Sequence, residues 1–126
     1  MDTRQKIFSS DEAAEAINRG RRLTAIAGNF DPLQSSHARR LAEIRREGHS
    51  MAVILTDSAH PILPQRARAE LVAALRVVDY VVLSQNNTLA EVIDQLSPDE
   101  VIHEEEADQH RLGELVSHVW KRHNTR

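Results

Sequence analysis

The sequence predicts an α/β domain in which a parallel sheet is covered on both faces by helices. Short apolar runs rich in β-branched residues recur along the chain, amphipathic helical patterns separate them, and strand alternates with helix from residue 23 onward. Strands buried on both faces carry no polar alternation, so near-continuous apolar runs point to a parallel sheet, and parallel neighbours require right-handed helical crossovers. There is no repeat, low-complexity stretch or Pro/Gly/Ser linker, so residues 1–126 are expected to form one domain.

The elements follow in order. Ser9 with Glu12 three residues later is a capping-box start, and Gly20 stands where a C′ residue ends a helix, giving a first helix over 10–19. Leu23-Thr24-Ala25-Ile26-Ala27 reads as a buried strand stopping at Gly28. Residues 36–47 carry Ala38, Leu41, Ala42 and Ile44 on one stripe, and Gly48 closes that helix. Met51-Ala52-Val53-Ile54-Leu55 is a second buried strand, residues 64–76 are helical through Ala67, Leu71, Val72 and Leu75, and Tyr80-Val81-Val82-Leu83 is a third strand. A helix over 89–96, a short strand at Val101-Ile102 and a closing helix over 111–121 complete the pattern.

Composition bounds the chemistry. With no cysteine, neither a disulfide nor a thiolate metal site can form, and a chain of 126 residues is long enough to fold on its own core. No apolar run approaches the ~20 residues that cross a bilayer, and no apolar signal core is visible, so a soluble, cytoplasmic protein without membrane contact is expected. A net charge of −3 supplies no general field for nucleic acid, so an anionic ligand must be held locally. Two lysines, Lys6 and Lys121, stand against fourteen arginines, leaving the middle of the chain without an ammonium group.

In an open parallel sheet, ligands lie beyond the carboxyl ends of the strands, which directs attention to residues 28–37, Gly-Asn-Phe-Asp-Pro-Leu-Gln-Ser-Ser-His. Gly28 permits close approach of backbone, Asp31 and Ser35 or Ser36 can cap, and the amides opening the next helix attract anions. Spacing alone leaves two readings open, since any strand-to-helix turn needs a glycine and a cap.

The stretch from Ala27 to Leu33 resembles the Gly-x-Phe-Asp opening of the nucleotidyltransferase superfamily with the His-x-Gly-His signature. Its members include cytidylyltransferases of the glycerol-3-phosphate type, pantetheine-phosphate adenylyltransferases and the heptose-1-phosphate adenylyltransferase domain. The likeness extends through Pro64-Gln65-Arg66-Ala67-Arg68, similar to that family's arginine-led helix, to Val78-Asp79 before the next strand, and back to Lys6-Ile7-Phe8-Ser9. The resemblance implies a three-layer, Rossmann-like nucleotidyltransferase fold. It also implies a reaction in which a substrate phosphate attacks the α-phosphorus of a nucleoside triphosphate, ATP or CTP, usually with Mg²⁺, and pyrophosphate leaves. Catalysis of that kind is positioning plus stabilisation of charge on the equatorial oxygens.

Carried over position by position, the second histidine of the signature is His37, the first is replaced by Gln34, and the glycine by Ser36. Glutamine donates a neutral hydrogen bond but cannot become cationic, and the serine adds a side chain where the nucleotide would press on backbone. The lysine-bearing loop after the second strand is represented by Asp57-Ser58-Ala59-His60-Pro61-Ile62-Leu63, shorter and without lysine. A Lys-Gly-Gly-Asp-like segment becomes His103-Glu104-Glu105-Glu106-Ala107-Asp108, whose carboxylates repel a triphosphate, and the hydroxyl motif for the β- and γ-phosphates has no counterpart. Arg68, matching the family's helix arginine, is the strong cation expected near the site.

Other constellations are weaker. The cluster from His103 to His110 lacks a metal-ligand spacing, so no metal site is expected. Arg39-Arg40 and Arg45-Arg46 make one helix basic, as surface ion pairs with Glu43 and Glu47 or as a phosphate or RNA contact. Asp79 is expected to be structural, and Trp120 a packing anchor against the domain or a partner subunit. The expected function is a degenerate member of the family that binds a nucleotide or phosphorylated small molecule with little or no turnover and needs no cofactor. His37 and Gln34 would do any remaining chemistry, and Gly28, Asn29, Phe30, Asp31, Ser36, Arg68 and His103 would line the ligand. Two alternatives stand beside it: an active transferase moving a nucleotidyl group from ATP or CTP, with Mg²⁺, to a sugar or polyol phosphate, and a structural protein-binding module. Nucleic acid is not an expected partner, and a homodimer completing the site stays open.

Overall fold

The computed structural model describes residues 2–57 and 60–104. After a 3-10 turn at Thr3–Lys6, the elements are β1 (Ile7–Ser9), α1 (Ser10–Ala16), β2 (Arg22–Gly28), α2 (Ser35–Ile44), β3 (His49–Leu55), α3 (Gln65–Ala73), β4 (Tyr80–Leu83), α4 (Leu89–Leu96) and β5 (Glu100–His103). All strands run parallel in one five-stranded sheet of order β1-β4-β3-β2-β5. The fold is α/β and Rossmann-like, as the alternation predicts.

Each face has its own core. On one, α2 and α3 bury Phe30, Leu41, Ala69, Val72 and Ala73 against Ile26, Met51, Val53, Leu55 and Val81. On the other, α1 and α4 bury Ala13, Ile17, Val92 and Leu96 against Leu23, Ala25, Ala52, Ile54 and Val82. The central strands β2 and β3 are buried almost throughout, which explains their unbroken apolar composition.

Three helix boundaries fall short of the expected ones. The first helix stops at Ala16 because Ile17 turns extended and buries itself in the α1/α4 core, while Asn18 Oδ1 accepts the Gly20 amide at 2.8 Å to build a turn. Gly20 is therefore not a C′ residue. α2 ends at Ile44, and Gly48, at φ +82, serves the turn into β3 instead of the helix end. α3 ends at Ala73, three residues early. β1 was not anticipated, since three residues are too few for a period, whereas α4 matches its expected span. The 111–121 helix and Trp120 lie outside the described residues.

Two aspartates, each one residue ahead of a strand, fix the sheet's lower edge. Asp79 accepts the Met51 amide on Oδ2 at 2.8 Å and returns its own amide to the Met51 carbonyl at 2.9 Å. Asp99 does the same for Leu23, at 2.8 and 2.9 Å. Asp79 is structural, as expected; nothing in the sequence distinguished Asp99 from an ordinary loop carboxylate.

Candidate functional site

The chain leaves β2 for β3, β4 and their side of the sheet, then returns to place β5 against the other side of β2. The carboxyl ends of β2 and β5 therefore flank a topological switch point, the place where such sheets open a ligand crevice. Register pairs Ala27 with His103 across it, so Gly28 and the turn after it face the end of β5.

The turn is fixed by close packing. Phe30 is buried with a left-handed backbone, φ 47, and folds its ring back over Gly28, where an added Cβ would lie 2.6 Å from Cε2. No side chain larger than hydrogen fits at 28 while Phe30 holds that position. The same ring meets the His37 imidazole edge-on, with centroids 5.2 Å apart. His37, in the first turn of α2, is buried, and its Nδ1 accepts the Gln34 backbone amide at 3.0 Å. That contact satisfies one of the amides that open the helix and makes Nδ1 an acceptor, so the neutral ring carries its proton on Nε2. Gln34 is the extended residue just before α2, and Ser36 is half-buried within its first turn.

Asp31 is a latch. Its two carboxylate oxygens accept the amides of Ile62 and Leu63 at 2.6 and 2.7 Å, tying the segment that follows β3 to the turn that follows β2. Changing Asp31 to Asn leaves one acceptor for two amides. The expected result is a loss of about 1–2 kcal/mol in local opening free energy, read as faster hydrogen exchange at Ile62 and Leu63 with the β3 amides unchanged.

Arg68 does not line the crevice. It is 1% exposed, and its guanidinium donates from Nη1 to the carbonyls of Asn29 and Thr56 at 3.0 and 2.9 Å and from Nε to the carbonyl of Leu63 at 3.2 Å. Nη2 meets the Asp57 carboxylate. All three nitrogens are committed, so the expectation that Arg68 meets ligand anions is corrected. It is a hub beneath the two loops, facing away from solvent. Thr56 completes the hub by donating its hydroxyl to Asn29 Oδ1 at 2.6 Å, which places Asn29 in the loop-to-loop contact.

His103 is exposed at the tip of β5. Glu104, next in the chain, is 2% exposed and pairs with the Arg40 Nε at 2.7 Å. This hydrogen bond, with the attraction of the same carboxylate, holds the Arg40 guanidinium above its ordinary pKa, so it stays charged. Arg46 pairs with Glu100 at 3.1 Å, and Arg45 donates to the Val77 carbonyl at 2.6 Å. Three of the four arginines that make α2 and its exit basic thus meet partners within the domain. Of the His103–His110 cluster, residues from Glu105 on lie outside the described residues. Among the described residues no three histidine, aspartate or glutamate side chains converge as metal ligands, and no helix is long and apolar enough to cross a membrane.

Fold and switch-point turn together define a Rossmann-like α/β domain in which the turn after β2 stands at the carboxyl end of the sheet beside β5. Residues 25–122 match the cytidylyltransferase-like family, and the chain belongs to it. It is a nucleotidyltransferase-like domain. Among its relatives, the bifunctional protein HldE of Citrifermentans bemidjiense is 33% identical over 111 residues, 78% of this chain and 23% of that protein. The FAD synthase of Halalkalicoccus jeotgali is 31% identical over 99 residues, 69% of this chain and 70% of that protein. The HldE of Campylobacter curvus is 36% identical over 105 residues, 75% of this chain and 22% of that protein. The chain thus spans less than a quarter of the HldE proteins it matches.

Of the residues the sequence singles out, Gly28, Asn29, Phe30, Asp31, Gln34, Ser36 and His37 lie on the turn after β2 and the first turn of α2, and His103 lies at the end of the neighbouring strand β5. Sequence reasoning missed Thr56, Asp57 and the Arg40–Glu104 pair. The signal for the first two was their position directly after the apolar run of β3; the pair joins residues 64 positions apart, beyond any local pattern.

Proposed function

We propose that the chain binds a nucleotide or another phosphorylated small molecule at the start of α2, with little or no turnover. The observation that carries this reading is the Gly28–Phe30–His37 packing. It seats the Phe30 ring between Gly28 and His37 and sets the histidine in the first turn of α2, beside helix amides that suit a phosphate. The expectation of slow chemistry rests on two replacements: Gln34 supplies a neutral amide where the resemblance implies a second histidine, and Arg68 is spent inside the protein. Loss of one donor to developing charge costs about 10²–10³ in rate.

Mg²⁺ would find few protein ligands among the described residues of the crevice. The carboxylates there are already engaged: Asp31 by two amides, Asp57 by Arg68 and Glu104 by Arg40. This donor set does not fit a resident divalent ion.

A second reading, an active transferase, is favoured by the retention of His37 in its donor tautomer and by the names FAD synthase and HldE among the relatives. In that case the His37 Nε2–H would stabilise charge on the attacked phosphate, and the helix amides would hold the same group. The test is isothermal titration with ATP and CTP, followed by pyrophosphate release with Mg²⁺ and a panel of phosphorylated sugars, polyols and flavin mononucleotide. The binding reading expects nucleotide affinity that falls at least tenfold in His37→Ala, with no pyrophosphate above that control. Release above the control establishes the second reading, and absence of binding by every member overturns both.

A further inference from the structure

We propose that Arg40, aimed by the buried carboxylate of Glu104, is the guanidinium that meets the ligand's phosphate at the switch-point crevice. This rests on the binding reading above and assigns the cation that Arg68 does not provide.

Arg40 stands three residues beyond His37 on α2, and helical side chains lean toward the N-terminus of their helix, here toward the turn after β2. Its Nε is taken by Glu104, the residue after the tip of β5, so the side chain bridges α2 to the end of the strand that pairs with β2. The carboxylate is 2% exposed and the guanidinium side chain 47% exposed. One edge of the fork is therefore anchored inside the protein while the rest faces solvent, and none of the described residues takes up the two Nη groups. A planar fork with one edge pinned and the other presented suits the oxygens of a phosphate. Glu43, three residues further along the helix, adds a second carboxylate near the guanidinium. The neighbouring Arg39 is exposed and has no partner among the described residues, so it tests charge without this geometry.

Glu104 is a positioning residue, and its two effects on an anion oppose each other: it aims the fork and it repels the phosphate. Glutamine at 104 keeps an oxygen for the Arg40 Nε and removes the repulsion. The sign of that substitution separates a phosphate-facing Arg40 from a purely structural pair.

The experiment is calorimetric titration of the full chain with ATP and with inorganic pyrophosphate, at low and at physiological salt, beside thermal melts. Arg40→Gln is expected to weaken both ligands about tenfold or more, the loss of a charge-assisted contact, and Arg39→Gln less than twofold. Glu104→Gln is expected to tighten both by a few-fold. Because Arg40→Gln takes a charged partner from a buried carboxylate, the Arg40→Gln/Glu104→Gln double variant accompanies it. It should melt closer to the wild type and, with the repelling carboxylate gone, bind more tightly than Arg40→Gln but more weakly than Glu104→Gln. Equal losses in the Arg39 and Arg40 variants, or weaker binding in Glu104→Gln, overturn the assignment while leaving the binding reading intact. No binding of either ligand by the wild-type chain overturns both.

Discussion

Arg68→Met is expected to cost the protein about 3 kcal/mol or more of stability, because it removes one donor group from four acceptors at once. The carbonyls of Asn29, Thr56 and Leu63 lose a buried donor, and the partly exposed Asp57 carboxylate loses its counterion. Methionine fills much of the volume, so the loss is chiefly one of hydrogen bonding. Arg68→Lys is expected to recover little, since an ammonium donates from a single point while the guanidinium reaches three carbonyls spread over two loops. Urea unfolding midpoints give the global cost, and hydrogen exchange around Asn29, Thr56 and Leu63 shows whether the two loops loosen together. A loss of under about 1 kcal/mol would mean the loops are held by something other than this hub.

The second large effect is expected at Gly28. Gly28→Ala puts a methyl carbon 2.6 Å from one ring carbon of Phe30 and 3.2 Å from two others, so the ring must move. Overpacking of this kind costs about 1–3 kcal/mol. Phe30 cannot swing away freely, because its backbone is already left-handed and its other edge rests against His37. The displacement should therefore reach the imidazole, visible as a shift of the His37 ring protons and as weaker nucleotide binding. In a Phe30→Ala background the same glycine substitution should be close to neutral, giving a coupling of about 1 kcal/mol or more between two residues that are not neighbours in sequence. Additive costs would place the strain elsewhere.

The strands were legible because burial on both faces writes itself into composition: β2 and β3 have almost no exposed positions, and their residues are those the apolar runs picked out. The turn was legible through the order Gly28, Phe30, Asp31 and His37. Arg68 was misread because a charge is ordinarily assumed to face water. A signal was present in the helix itself: Arg68 sits one turn before Val72 and adjoins Ala69, on the face of α3 that is buried. A charge on an apolar stripe has to find its partners indoors, and loop carbonyls are the partners available. The Arg40–Glu104 pair had no such local trace, since its partners meet only once β5 has returned to the far side of β2.

The two separate cores have a consequence for how this domain can change. Phe30, Leu33, Leu41, Ala69 and Val72 belong to the α2/α3 side, so the turn, the helix that opens at it and the arginine hub share one foundation. The α1/α4 side supports none of them directly. Substitutions beneath α1 and α4 can therefore erode thermal tolerance while sparing recognition, and that half of the domain is where sequence can drift most freely under selection for the bound molecule alone.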